Sequence, residues 1–585
     1  MQVFFAAENE HFKLQFKSDD NTATNFSPRT HRIDLNVCRN SFAAFQIVVS
    51  MDEEASVNIG EDPWFSEIGS ANSLRLAIDG DLPATMHHID MHRDDSPVYY
   101  ADALLNQKVI NATGDVPISI YVKTEIPKDL EAGVYTGTVR LYTSRLFENE
   151  DYVGEVQYTI DVSDVVLPDP GKGSFYLDLW QHNSNLARKA ETVLWSERHF
   201  EIIEQYIATL AKLGQCSVTA VVSEIPWCGQ RCFQNMQTPS NLFEYSMIRV
   251  KRLADGGYVY DYSALDRYIR LCFSYGIDKE IEVFGLVNIW TSTNDGYFNF
   301  TRYPEAIRIR YLDTDNTYKY MTKDSDIENY IYALYEHFIE QGWLDKVRVT
   351  ADEPWELEPF KRSLDAIRRI APGFRYKAAI GDIDFYRDYQ QYISDFVPSV
   401  ICLCREYKEF SDVLAQDDQH RFLWYVACSP EYPNIYLRSN LLETRYIAVL
   451  TDYFGCTGFL RWNYTAWPND PREDIRYSMF PAGDTHFVYP AGDMSPMLSL
   501  RYMALRRGIG DYELLQMAKA AGREDVVQEV HRIIVKNRNF QDFYEKDKSK
   551  QKFEKMSTVK YSDYRKIREL LYSALKNKKE MENVV

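Results

Sequence analysis

The sequence lacks several features that would fix its class at once. It contains no apolar run of about 18 residues, which a membrane-spanning helix requires. Its N-terminus has no basic segment followed by an apolar core, so no signal peptide is predicted and a cytoplasmic location is expected. The zinc-protease HExxH pattern, the phosphate-binding P-loop, the dinucleotide glycine fingerprint and the GxSxG serine motif are all absent.

Basic residues are outnumbered by acidic ones. Lys and Arg total 66 and Asp and Glu total 86, which gives a formal net charge of −20. Nucleic acids and anionic membrane surfaces attract proteins through patches of Lys and Arg. We therefore expect neither as a partner.

Cysteine and histidine are present without a clear metal-binding pattern. The nine cysteines are scattered, several of them in apolar runs such as 400–404, so free buried thiols in a reducing compartment are expected. Cys228 and Cys232 are spaced like half of a metal site, but no second half lies nearby. The histidines of Met86-His-His-Ile-Asp-Met-His92 fall in a strand-like segment, where adjacent residues face opposite sides. No metal or other cofactor is therefore predicted.

The chain of 585 residues is too long for a single hydrophobic core. Residues 1–168 predict a β-sandwich domain, because short segments with alternating or β-branched residues are separated by turns without a long helical period. The clearest of these segments are 42–50, 116–123, 133–142 and 154–162. A Pro- and Gly-rich linker at 167–173 marks the expected domain boundary.

Residues 169–515 alternate short apolar runs with helical stretches, which predicts parallel strands joined by helices. The helices are expected at 197–213, 264–275, 327–341, 356–370 and 437–454. Eight strand candidates predict a (β/α)8 barrel of the TIM type; they are 174–179, 217–222, 280–286, 347–350, 376–379, 400–403, 422–425 and 458–462. Residues 516–585 are predicted to form a C-terminal helical tail rich in Lys and Glu.

Two adjacent carboxylates end the fourth predicted barrel strand, in the run Lys346-Val-Arg-Val-Thr-Ala-Asp-Glu-Pro-Trp355. Barrel enzymes carry their chemistry at the C-terminal ends of the strands. Neighbouring strand residues point to opposite sides, so Asp352 and Glu353 converge only if the backbone bends, which Pro354 favours. Such a pair can perform acid–base catalysis on a glycosidic bond. Alternatively, Asp352 caps the following helix and Glu353 lies in its first turn.

Aromatic residues are abundant, at 14% of the chain with 42 Tyr and 10 Trp. Tyr and Trp combine an apolar face with a polar group, which suits stacking on sugars, although the same residues also pack cores and barrel rims. Several aromatic or polar residues near predicted strand ends are candidate substrate contacts: Trp180, His182, Trp227, Trp355, Trp424, Tyr425, Trp462 and Asn463. For His182, a buried structural histidine is the alternative.

Several segments resemble a known family. The runs Gly483-Asp-Thr-His-Phe-Val-Tyr-Pro490, Ser499-Leu-Arg501 and Arg507-Gly-Ile-Gly-Asp-Tyr-Glu-Leu-Leu515 resemble the C-terminal signature of the domain of unknown function 4091. This domain is shared with glycoside hydrolase family 123, whose members are β-N-acetylgalactosaminidases. The pair Asp352-Glu353 is similar to the adjacent catalytic Asp-Glu of that family, and residues 100–105 and 126–138 resemble its N-terminal sandwich.

The resemblance implies a retaining exo-glycosidase that acts on an oligosaccharide or glycoconjugate with the help of the substrate itself. Glu353 would protonate the leaving oxygen and later activate water. Asp352 would hold the 2-acetamido group of the substrate while the oxygen of that group attacks the anomeric carbon. Asp352 is expected to stay ionised beside the developing positive charge.

Two other functions stay open from the sequence. One is a glycosidase of the same fold that acts on another sugar through an enzyme nucleophile. That mechanism needs a second carboxylate at about 5 Å from Glu353, or about 6.5–9.5 Å in an inverting enzyme, and Asp178 and Glu224 are the candidates. The other is a non-catalytic glycan-binding protein in which the acidic pair only caps a helix. The oligomeric state is not predicted.

Overall fold

The structure, a computed structural model, describes most of the 585-residue chain. The described residues are 2–8, 12–15, 32–51, 53–60, 72–113, 116–145, 148–226, 243–287, 301–354, 356–477, 480–544 and 551–582. Two of the predicted sugar contacts, Trp227 and Trp355, lie outside these residues, as do Cys228 and Cys232.

The N-terminal region is rich in β-sheet, as predicted. Two six-stranded sheets have the strand orders β1-β4-β10-β7-β8-β2 and β3-β12-β11-β6-β5-β9. One hydrophobic cluster joins them, with Ile47 and Ile120 from the first sheet and Leu76 and Val139 from the second. The strands are β1 Gln2–Ala7, β2 Lys13–Gln15, β3 Arg32–Arg39, β4 Ser41–Ser50, β5 Ala55–Asn58, β6 Asn72–Gly80, β7 Thr85–Arg93, β8 Val98–Leu104, β9 Val109–Ala112, β10 Ile118–Ile126, β11 Gly133–Arg145 and β12 Asp151–Val166.

The rest of the chain is built around one large parallel sheet. Its eight strands have the order β13-β26-β25-β24-β23-β22-β19-β14. A parallel bridge between Leu177 and Gln215 connects its two edges, so the sheet is nearly closed into a barrel. The strands of this part are β13 Tyr176–Leu179, β14 Ser217–Val221, β15 Ile225–Pro226, β16 Phe243–Glu244, β17 Arg249–Arg252, β18 Tyr258–Asp261, β19 Glu280–Val287, β20 Arg310–Leu312, β21 Tyr318–Tyr320, β22 Val347–Asp352, β23 Arg375–Ile380, β24 Ile393–Pro398, β25 Arg421–Tyr425, β26 Gly458–Arg461, β27 Tyr489–Pro490 and β28 Pro496–Met497.

Helices connect most of these strands and continue to the C-terminal part of the chain. Among the described helices, none is both long and apolar enough to cross a membrane. The helices are α1 Asn183–Lys189, α2 Glu197–Leu213, α3 Ser263–Ser274, α4 Asp324–Glu340, α5 Leu357–Ile370, α6 Asp384–Tyr389, α7 Val400–Arg405, α8 Tyr407–Gln416, α9 Leu441–Phe454, α10 Leu500–Ala520, α11 Glu524–Ile534, α12 Phe553–Met556 and α13 Tyr561–Glu582.

One predicted barrel strand is wrong. Residues 400–403 belong to helix α7, and the sixth parallel strand is β24, seven residues earlier in the chain. Pro398 ends this strand, and the side chain of Ser399 caps the helix by accepting a hydrogen bond from the Cys402 N–H at 3.1 Å. A short apolar run fits a buried helix as well as a buried strand, so its composition could not decide between them.

The interior of the parallel sheet contains a buried ion network. The Lys377 ammonium on β23 contacts the carboxylates of Asp178 on β13, Glu280 on β19 at 3.1 Å and Glu282 on β19 at 2.5 Å. All four side chains are buried. Because β13 and β23 are not neighbours in the sheet, the Lys377–Asp178 pair crosses the interior and links distant strands.

Two arginines extend this ion network. Arg348 on β22 lies 2.8 Å from Asp395 on β24, and Arg421 on β25 lies 2.6 Å from the same carboxylate. Arg421 also lies 3.0 Å from Glu280. Six of the eight parallel strands therefore take part in one set of ion pairs; they are β13, β19, β22, β23, β24 and β25.

Helix α10 binds the N-terminal region through Arg501. The Arg501 guanidinium donates to Asp102 Oδ2 on β8 from Nε at 2.9 Å and from Nη2 at 2.8 Å. Its Nη1 donates to the carbonyl oxygens of Gly483 at 2.6 Å and His486 at 2.8 Å. The Tyr489 hydroxyl donates to the same Asp102 oxygen at 2.6 Å. These contacts join the N-terminal sheets, the loop after β26 and the helix in one buried cluster.

The same helix is also bound by both ends of the described chain. Arg507 donates to Glu8 from Nε at 2.9 Å and from Nη2 at 2.7 Å. Asp511 accepts from Arg445 on α9 at 2.6 Å and from Arg568 on α13 at 2.9 Å. The helix runs through the predicted domain boundary at residue 515, and the domain limits stay a prediction.

Arg501→Ala should strongly destabilise the fold. It would leave the Asp102 charge buried without its cation, and we expect the free energy of unfolding to fall by about 3–5 kcal/mol. Urea denaturation followed by circular dichroism measures this loss. The control is Arg140→Ala, since Arg140 and Asp79 form an exposed ion pair at 3.3 Å and its loss should cost under about 1 kcal/mol. Equal losses in both variants would contradict the role given to Arg501.

Candidate active site

Strand β22 carries the acidic pair to the end of the parallel sheet. Side chains alternate along a strand, so Asp352, its last residue, shares a face with Arg348 of the interior ion network. Glu353 then adopts a left-handed backbone conformation, with φ of 45°, and its N–H donates to the Ala379 oxygen at 3.1 Å. For a residue other than glycine this conformation costs about 1–2 kcal/mol. The left-handed turn interrupts the strand alternation that would otherwise point the Glu353 side chain away from that of Asp352.

Tyr425 connects this pair to β25, which is separated from β22 by two strands of the sheet. The Tyr425 hydroxyl, at the end of β25, donates a hydrogen bond to Glu353 Oε1. Burial and then the Glu353 charge raise the pKa of Tyr425 well above its usual value, with a smaller contribution from Asp352. Tyr425 therefore stays protonated and acts as a hydrogen-bond donor that holds the Glu353 carboxylate.

The two carboxylates also affect each other. Burial, and next the charge of Glu353, raise the pKa of Asp352 well above its usual value. In the protein without substrate, the raised pKa favours protonated Asp352. The sequence-based expectation of an ionised Asp352 applies to the reaction intermediate, where a positive charge develops nearby. In the free protein, the pair retains a proton at pH values where an isolated Asp has lost it.

Aromatic residues surround the end of the sheet near Tyr425. Trp462, half-buried after β26, lies 5.1 Å from the Phe480 ring and 6.3 Å from the His182 ring. Phe480 stacks in turn on Tyr477 at 5.7 Å. All of these except His182 belong to the hydrophobic cluster that contains Tyr425. Phe480 and Tyr477 were not predicted, because they follow the last strand by some distance and carry no motif of their own.

Trp424 is a correction to the predicted contacts. Its indole Nε1 donates to Thr451 Oγ1 on α9 at 2.8 Å, and its ring packs against Phe454 and Phe459. Adjacent strand residues point to opposite faces, so Trp424 faces the helices while Tyr425 faces the interior. Trp424 thus belongs to the core between the sheet and α9.

Three other predicted contacts, Trp180, His182 and Asn463, are buried. Trp180 is 2% exposed and packs edge-on against Phe284 at 4.9 Å. Burial lowers the pKa of His182 to about 3, so this histidine is neutral and cannot serve as the catalytic acid. Asn463 is fully buried next to Trp462.

The two alternative nucleophiles are already engaged. Asp178 accepts a hydrogen bond from Ser217 at 2.6 Å and binds Lys377 in the interior ion network. Glu224, three residues after β14, lies 2.8 Å from the Arg310 guanidinium and accepts a hydrogen bond from the Tyr320 hydroxyl at 2.5 Å. Burial raises the pKa of Glu224. Neither carboxylate is free to attack a sugar in this arrangement.

A further carboxylate, that of Asp484, interacts with Arg461 and Trp462 next to the site. Asp484 is buried and lies 2.5 Å from Arg461 of β26, and burial raises its pKa to about 6 in spite of that arginine. A hydrogen bond from Trp462 also acts on Asp484. Asp484 is part of the Gly483–Pro490 run that resembles the family signature. Its interaction with Trp462 could not be predicted from that run. Among the described residues, no group of three or more His, Cys, Asp or Glu could hold a metal ion.

Comparison with solved structures found a family 123 glycoside hydrolase from Clostridium perfringens, described in a study of glycolipid glycan hydrolysis. The two chains are 17% identical with a TM-score of 0.73, and the match covers 100% of this chain and 99% of that one. A β-D-glucuronidase from Dictyoglomus thermophilum matches over 86% of this chain and 97% of its own, at 9% identity. Its TM-score of 0.31 is too low to define a shared fold.

Among curated proteins, no sequence matches this chain. The family model for the glycoside hydrolase 123 catalytic domain matches residues 180–518, which is more than half of the chain. This region contains the acidic pair, Tyr425, Trp462 and Asp484. The chain therefore belongs to glycoside hydrolase family 123.

Proposed function

We propose that this glycosidase is a retaining exo-β-N-acetylgalactosaminidase that uses the 2-acetamido group of its substrate as the nucleophile. The observation that carries the proposal is the left-handed backbone at Glu353, directly after Asp352 at the end of β22, together with the effect of both carboxylates on the same Tyr425 hydroxyl. Two carboxylates in direct succession are too close to act as acid and nucleophile on opposite faces of a sugar. They suit a mechanism in which the substrate supplies its own nucleophile.

The two carboxylates take different roles in this mechanism. When the substrate amide N–H donates a hydrogen bond to Asp352, the proton that the pair retains lies on Glu353, and Glu353, held by Tyr425, passes it to the leaving oxygen. The amide oxygen then attacks the anomeric carbon, the glycosidic bond breaks, and an oxazolinium-like intermediate forms. Glu353 next removes a proton from water, which opens the intermediate with overall retention. A positive charge near Asp352 favours its ionised form. The charge of the intermediate therefore lowers the pKa of Asp352, whereas burial raises it.

The alternative with an enzyme nucleophile has less support. It requires a second free carboxylate at about 5 Å from the acid, and both candidates, Asp178 and Glu224, are held in ion pairs. The sugar contacts that stay proposed are Trp180, His182, Trp462 and Asn463, and Phe480 joins them. Trp227 and Trp355 stay predictions from the sequence, as do the complete (β/α)8 barrel, the β-sandwich and a cytoplasmic location.

Glu353→Gln should abolish turnover of a chromogenic N-acetyl-β-galactosaminide, with a loss in kcat of at least about 100-fold, because amides cannot donate the catalytic proton. Asp352→Asn should lose activity as well. Steady-state kinetics on both variants measure this effect. Glu224→Gln is the control, since it removes a carboxylate of the alternative mechanism and should keep turnover of the aryl substrate. Cleavage of β-galactosides without the acetamido group would rule out substrate assistance.

Tyr425→Phe and Trp424→Phe form a matched pair of neighbouring substitutions. Tyr425→Phe removes the hydrogen bond to Glu353 and should lower kcat about ten- to hundredfold, as expected for a bond to a charged group. Trp424→Phe removes the hydrogen bond to Thr451 and part of the packing against α9, so it should lower the melting temperature and leave kcat within about twofold. If both variants lose the same activity, Tyr425 has no special function at the site.

The acidic pair predicts a pH-dependent difference in stability. Because the pKa of Asp352 is raised in the folded protein, the stabilisation from its proton is complete below the ordinary value of about 3.9 and is lost as pH rises through the folded value. Asp352→Asn cannot ionise. Its melting temperature should therefore exceed that of the wild type at about pH 7.5, and the difference should shrink towards about pH 4. A difference that does not change with pH would contradict this assignment.

A further inference from the structure

A small four-stranded sheet adjoins the end of the barrel that carries the acidic pair. Its strand order is β18-β17-β20-β21, and it lies outside the parallel sheet. Glu224 connects the two, because its N–H donates to the Arg308 oxygen at 3.0 Å while its carboxylate binds Arg310 and Tyr320. The next residue, Ile225, belongs to the same hydrophobic cluster as Tyr425. The small sheet therefore lies at the rim of the candidate active site.

Strand register separates the two faces of this small sheet. Tyr320 pairs with Arg310, and Tyr318 pairs with Leu312, so these four side chains share one face. The opposite face includes Tyr311, which is buried against the hydrophobic core. The face of Arg310 and Tyr318 thus runs outward from Glu224 at the rim, with Tyr318 68% exposed.

Arg310 lies beside two aromatic rings, that of Tyr318 on this face and that of Tyr245 next to the sheet. Its guanidinium carbon lies 5.0 Å from the Tyr318 ring centre and 5.2 Å from the Tyr245 ring centre. The ion pair with Glu224 at 2.8 Å fixes the arginine itself. A ring that is fixed before binding loses little conformational freedom when a ligand stacks on it. Tyr318 thereby offers a preorganised aromatic surface beside a set of polar groups.

We propose that this face binds the glycan on the leaving-group side of the cleaved bond, with a sugar ring stacked on Tyr318. The inference rests on the proposed exo-glycosidase function and names where the rest of the substrate lies. An exo-acting enzyme encloses the terminal sugar, and the remaining sugars must leave the site across its rim. A flat ring with an apolar face and a hydroxyl, next to an arginine, is suited to a sugar's C–H face and hydroxyl groups. The net charge of −20 disfavours a nucleic acid or an anionic membrane as the occupant.

Tyr318→Ala tests the inference with two substrates. On a neutral oligosaccharide with a terminal β-linked N-acetylgalactosamine, we expect kcat/KM to fall about tenfold, the size of a lost stacking contact. On the aryl N-acetyl-β-galactosaminide, which lacks the further sugars, kcat/KM should change by less than about twofold. Tyr318→Phe keeps the ring and should restore most of the oligosaccharide activity. Tyr332→Ala, on α4 and 52% exposed, is the matched surface control and should leave both substrates unaffected.

A binding experiment separates this inference from the proposed function. Calorimetric titration of Glu353→Gln with the same oligosaccharide, and with that oligosaccharide shortened by its terminal sugar, should show binding that Tyr318→Ala weakens about tenfold. If the wild type cleaves no N-acetylgalactosaminide but this binding difference is found, the proposed activity is wrong and the glycan-binding role of the Tyr318 face is supported. If Tyr318→Ala weakens neither binding nor oligosaccharide hydrolysis, or affects both substrates equally, the inference is overturned.

Discussion

The buried ion network around Lys377 is the constraint on which the site depends. Three cations, Lys377, Arg348 and Arg421, face four carboxylates, those of Asp178, Glu280, Glu282 and Asp395. Burial and the charge of Asp178 raise the pKa of Glu282 well above its usual value, which favours the protonated form of Glu282 beside the other carboxylates. A buried cluster of this kind tolerates few rearrangements, since removal of one partner leaves another charge uncompensated. It thus fixes the relative positions of strands that are far apart in the sheet, and one of them, β22, carries Arg348 and Asp352 on the same face.

The parallel strands could be predicted from the sequence wherever the length and the composition of an apolar run both indicated a strand. Seven of the eight predicted parallel strands are present, and the acidic pair lies where the fourth strand ends. The missed strand shows the limit, because a run of Val, Ile, Cys and Leu is equally suited to a helix once Ser399 provides a cap. Trp424 and Tyr425 show another limit. Because side chains alternate along a strand, only one of these two adjacent residues can face the interior. Which one does so depends on tertiary packing, here that of Trp424 against Thr451 and Phe454.

The residues that made the family recognisable are mostly not the residues that do chemistry. Arg501 and Asp511 bind carboxylate or guanidinium partners elsewhere in the chain, and Glu513 accepts from the N–H groups of Ser174 and Phe175 at 3.0 and 2.7 Å. Gly483 has a φ of 82°, and a Cβ there would lie 2.6 Å from the Leu437 nitrogen, so a side chain has no room. The signature therefore describes how the parts of the molecule are held together. It says little about which sugar is bound, and for that reason the contacts around Trp462 and Tyr318 could not be read from it.

Helix α10 has a consequence for the order in which this protein matures. Glu8 and its partner Arg507 are 499 positions apart, so the first segment leaves the ribosome long before its binding site exists. Contacts of such large sequence separation form late and slow the search for the native state. The ion pairs of α10 also include Arg568 on α13, so they are complete only after α13, which follows α10 in the chain, has been synthesised. A chain that stops before α13 would therefore lack the Arg568 partner of Asp511 and would keep the Arg445 partner from α9.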